Sequence, residues 1–80
     1  MLTSGPQLRA GRAMAGLTRE ALAAAADVGT TTITRLEGEP GRLRPTLATL
    51  DSLTKALARH GVAFTEDGVR VLRDIPARRR

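Results

Sequence analysis

Eighty residues carry 13 Lys or Arg against 8 Asp or Glu, a formal charge of +5, and no cysteine. That length suits one small domain, which buries about 60% of the surface of its unfolded chain. The missing cysteines exclude a disulfide framework and a thiolate metal site. Apolar residues make up 41% of the chain, yet Phe64 is its only aromatic, so Leu, Ala and Val must build the core. A core so small calls for supplementary stabilisation, and dimerisation is the expected source.

Thr3 or Ser4 caps a first helix that tolerates Pro6 in its first turn and runs to about Ala15. Leu8 and Ala15 mark its inner face with Arg12 between them, and Gly16 suits the left-handed residue after a helix. Thr18 caps a second helix over about 19–25, Asp27-Val28-Gly29 turns the chain, and a third helix covers about 30–37 before Gly38. Residues 39–45 hold two prolines and a glycine, which makes them a loop. Thr46 then caps the longest helix, about 47–60, in which Leu47, Leu50, Leu53 and Leu57 form one apolar stripe belonging to the core. His60 sits at its C-terminus in a capping or dipole role, and Gly61 closes it.

Val62-Ala63-Phe64-Thr65 and Val69–Arg73 are β-prone, and Glu66-Asp67-Gly68 between them signals a hairpin. The expected fold is mainly α: a small helix-turn-helix bundle of four to five helices with a short C-terminal β-hairpin or strand pair. Residues 1–61 form the bundle, 62–73 the strand element, and 74–80 a disordered basic tail.

Residues 17–38 carry the functional signal. Leu22, Ala23, Val28, Ile33 and Leu36 can face inward while Arg19, Thr30, Thr31, Thr34 and Arg35 stay outside. Two short helices packed this way cross steeply, with Ala23 permitting the close approach, and the start of the second is free to enter a DNA groove. The charge agrees, since +2 remains without the three terminal arginines, and a basic body favours a polyanionic partner.

These residues resemble the helix-turn-helix of the phage-repressor-like (XRE, Cro/C1-type) regulators of bacteria and phages, a likeness extending less tightly over 3–60. Leu22-Ala23, Val28, Ile33, Leu36 and Glu37-Gly38 fall where that pattern expects them. Asp27 departs from it by standing where glycine is usual, in a turn residue that tends to be left-handed, a region Asp tolerates. The resemblance implies that Thr30, Thr31, Thr34 and Arg35 face base edges in the major groove. Threonine offers a hydroxyl and a methyl that fits thymine, and arginine can hold guanine bidentately. It further implies that Thr32 is turned inward, that Arg19 touches phosphate, and that Arg12 and Glu37 form a structural ion pair between the first and third helices. Arg42 and Arg44, with the Thr46 cap, either clamp flanking phosphates or are plain loop charge.

No nucleophile motif, Gly-rich phosphate loop or carboxylate pair is evident, and a single histidine without cysteine provides almost no metal ligands. An enzyme, a cofactor and a metal site are not expected. No apolar run approaches the about 20 residues of a membrane span, and the N-terminus lacks a signal-peptide core, so a cytoplasmic, nucleoid-associated protein is expected.

The expected function is a DNA-binding transcriptional regulator, a repressor, acting on double-stranded DNA as a homodimer at an inverted repeat. An antitoxin with a toxin partner, an adaptor contacting a protein such as RNA polymerase, and a non-specific DNA binder are the rivals. Val62, Phe64, Val69 and Val71 are candidates for a dimer interface through strand pairing. The alternative, equally open, is a hairpin folded onto its own helices with Phe64 completing the core.

Overall fold

The computed structural model describes residues 2–40, 45–66 and 68–72. In chain order they form α1 (Gly5–Ala15), α2 (Arg19–Ala26), α3 (Thr30–Glu37), α4 (Leu47–Arg59), β1 (Val62–Phe64) and β2 (Val69–Val71). The mainly α bundle with a C-terminal strand pair is thus the observed fold, with four helices among the described residues.

Local chemistry sets the helix ends. Ser4 Oγ accepts the Gln7 N–H while Gln7 Oε1 accepts the Ser4 N–H, a reciprocal capping box. Thr18 and Thr46 cap α2 and α4 by accepting the N–H of Ala21 and Thr49. Gly16 ends α1 at φ 73, and Asp27 ends α2 in the left-handed region at φ 57. At the far end of α4, His60 Nδ1 lies 2.9 Å from the Ala56 carbonyl oxygen, in keeping with a capping role.

Leu8, Leu22, Ile33, Leu53, Leu57 and Val62 are the largest fully buried side chains, drawn from all four helices and β1. Small residues let the helices close over them. A Cβ at Gly5 would collide with the Leu36 carbonyl oxygen and stand 2.9 Å from that of Glu37. Glycine therefore lets α1 begin directly against the end of α3. A Cβ at Gly11 would lie 3.0 Å from the Phe64 ring, so that glycine makes room for the one aromatic.

The two strands pair antiparallel within the chain, Val62 opposite Val71 and Phe64 opposite Val69. A two-stranded ribbon is marginal alone, and here it is fastened to the bundle twice. Val62 and Phe64 pack into the core cluster, and the buried Gln7 donates through Nε2 to the carbonyls of Thr65 (3.1 Å) and Gly68 (3.0 Å).

The leucine stripe needs correction. Leu53 and Leu57 are core and Leu50 is half-buried, but Leu47 is 83% exposed. At 3.6 residues per turn, two successive steps of three rotate Leu47 about 120° away from Leu53. It lines a groove with Leu2, Leu50, Asp51 and Thr54 instead of entering the core.

Candidate nucleic-acid interface

Helix α3 is amphipathic over only eight residues. Ile33 and Leu36 are buried and anchor it on α1 and α2. Thr31, Thr34 and Arg35 are exposed, Thr30 is partly exposed, and Thr32 is partly buried. Three of the four residues expected to face base edges are thus exposed on one helix, while Thr30 is partly buried to the same degree as Thr32. Gly29 occupies the N-cap and provides no side-chain cap.

Beneath that surface lies an ion-pair cluster. Arg12 Nε donates to Glu37 Oε2 at 2.6 Å and Arg12 Nη2 to Glu37 Oε1 at 3.1 Å, bridging α1 to the last residue of α3. Arg12 Nη1 also donates to the Leu17 carbonyl at 3.0 Å, holding the segment that leads into α2. The Glu37 side chain is only 2% exposed and that of Arg12 17%. Burial by itself pushes the Glu37 carboxyl up, but hydrogen bonds from Arg12 and then Arg19, together with their charges, outweigh it and hold the group below the ordinary carboxylate value. The Glu37 bond raises Arg12 in turn, against the opposing effect of burial.

Arg19 belongs to the same cluster, which the sequence reading missed. Its Nε donates to Glu37 Oε1 at 3.1 Å, while 44% of its side chain remains exposed. It stands at the first position of α2, where a phosphate contact is expected. Residues 18 positions apart carry no local spacing signal, so only the fold brings them together. Arg59, unremarked in the sequence, donates through Nη2 to the Ala25 carbonyl at 2.8 Å and ties α4 to the end of α2.

Thr46 is exposed, with its hydroxyl engaged by Thr49. Arg42 and Arg44, and the tail 74–80, lie outside the described residues. Of the four residues named for an interface between copies, Val62 is fully buried in its own chain and Phe64 packs against the core. Val69 is partly buried, and Val71 is 51% exposed. No helix among the described residues is long and apolar enough to cross a membrane.

Comparison with known proteins agrees with this geometry. A family model described as a helix-turn-helix domain matches residues 5–65, which takes in all four helices and β1 and so reaches beyond the 3–60 of the resemblance. No curated protein matches the chain. With that match spanning well over half of its length, the chain belongs to the helix-turn-helix domain family of DNA-binding regulators.

Proposed function

We propose that this protein is a sequence-specific transcriptional repressor of the phage-repressor-like type, which binds an inverted-repeat operator as a homodimer with α3 in the major groove. One observation carries the reading: Thr31, Thr34 and Arg35 stand exposed on a helix whose opposite side is locked into the core, with Thr30 at its opening turn. Hydroxyl, methyl and guanidinium groups are what base edges in the major groove accept. The absence of large apolar side chains among these outward residues favours DNA over a protein partner at this helix.

A single recognition helix reads few base pairs, so useful specificity calls for two copies on half-sites about one helical turn apart. Because Val62 and Phe64 pack within their own chain, the contact between copies reduces to Val69 and the half-exposed Val71 on β2. Truncation after Gly61 would remove Phe64 from the core as well, so Val71→Glu is the cleaner test. It should leave the fold intact and shift the species seen by sedimentation at micromolar concentration from dimer to monomer. An unchanged dimer places the interface elsewhere.

The reading as a whole is tested by selecting bound fragments from random genomic DNA with the wild-type chain and with Arg35→Ala. It expects a palindromic motif that the variant fails to enrich. No motif from the wild type would favour the adaptor or the non-specific binder.

A further inference from the structure

We propose that Glu37 is a positioning residue for DNA binding, holding Arg19 so that the free edge of its guanidinium is presented to a backbone phosphate. The inference rests on the DNA-binding reading above and on Arg19 as a phosphate contact.

Glu37 uses its two buried oxygens to hold two arginines, but it holds them differently. Arg12 is engaged at all three guanidinium nitrogens: Nε and Nη2 by the carboxylate and Nη1 by the Leu17 carbonyl. Three of its five N–H donors are thus committed, and only 17% of the side chain is exposed. Among the described residues, Arg19 is held at Nε alone. A guanidinium is a rigid planar fork, so anchoring Nε leaves the Nη1–Nη2 edge free, on a side chain that is 44% exposed at the start of α2. That edge carries two parallel N–H donors, the geometry that takes a phosphate bidentately.

The anchor also reduces the entropy lost on binding. An arginine free in solution must freeze several torsions to make such a contact, whereas one already tethered has fewer left to lose. The benefit of holding one side chain in place corresponds to about two- to tenfold in affinity. Glu37 itself contacts no DNA in this scheme.

The sign of its effect makes the proposal decisive. Glu37 is an anion, so by charge alone its replacement with Gln should strengthen attraction to DNA. Positioning requires the opposite, and only while Arg19 is present.

Phosphate contacts are independent of sequence, so a mixed-sequence duplex serves as the probe without knowledge of an operator. The full chain, Glu37→Gln, Arg19→Ala and the double variant are titrated with that duplex across a range of salt, well below each variant's melting temperature. Arg19→Ala should weaken binding and reduce the salt slope by about 1. Glu37→Gln should weaken binding about two- to tenfold in the presence of Arg19 and cause no weakening in the Arg19→Ala background. Equal weakening in both backgrounds, or tighter binding with Arg19 present, overturns the positioning role. Unchanged affinity and slope in Arg19→Ala alone overturns the phosphate contact beneath it.

Discussion

Replacing Glu37 with Ala probes the junction on which the recognition helix rests. The change removes the acceptor of three charged hydrogen bonds and leaves Arg12 and Arg19 as neighbouring cations with nothing between them. A hydrogen bond to a charged group contributes about 1.5–3 kcal/mol, but the two arginines do not lose equally. Arg19, 44% exposed, rehydrates readily, and such a pair is worth about 0–1 kcal/mol. Arg12 is 17% exposed and keeps its Leu17 bond, so it rehydrates only in part. The expected loss is about 2–3 kcal/mol, short of the roughly 3–5 kcal/mol that follows when a fully buried pair loses one member. In a chain of this size each kcal/mol moves Tm by about 4–8 °C, giving a fall of roughly 10–20 °C in a thermal melt followed by circular dichroism at neutral pH. Arg12→Ala should cost at least as much, because it leaves a carboxylate that is 2% exposed. The double variant should lose less than the two single losses combined. An unchanged Tm for Glu37→Ala, or strict additivity of the two changes, refutes the junction.

The same carboxyl gives a pH dependence of definite sign. Glu37 is held below its ordinary value in the folded chain, so its contribution is present above the unfolded value of about 4.3 and is lost as pH falls through the lower folded value; Tm of the wild type should drop across that acidic window more than Tm of Glu37→Gln. Gln7→Ala removes the capping box and leaves the Thr65 and Gly68 carbonyls without that donor, which should cost about 1–3 kcal/mol and speed amide exchange in the strands more than in α4. Gly5→Ala gains helix propensity but places a methyl against the Leu36 and Glu37 carbonyls; a net loss of about 1–3 kcal/mol is expected in denaturant unfolding, and a net gain would contradict the close approach of α1 to α3.

What was legible in the sequence was what local chemistry decides. Ser4, Thr18 and Thr46 cap the helices they precede, Gly16 and Asp27 take left-handed conformations, and α3 spans residues 30–37 as read. The Arg12–Glu37 bridge was also legible, though through resemblance and not through spacing. What escaped depends on neighbours distant in the chain. Leu47 matched a helical stripe, yet among the described residues nothing packs over the start of α4 to bury it. Arg19 was read as a phosphate contact, and its bond to Glu37 escaped because that partner is 18 residues away. Gln7 carried half a signal: three residues after Ser4 it marks a capping box, but its other end reaches the hairpin turn 58 and 61 residues on. The hairpin itself was read correctly as a strand pair, and pairing within the chain was one of two open alternatives. The Phe64 ring packs against its own core, in the room that the glycine at position 11 leaves.

The most direct test of the central claim is a base-pair scan of the selected operator with the wild-type chain and Arg35→Ala. If Arg35 reads a guanine in the major groove, the variant should lose about 1–3 kcal/mol of discrimination at one G·C pair in each half-site and keep its preferences elsewhere. Uniform weakening across all positions, or an unchanged scan, would contradict the assignment of α3 as the reading helix.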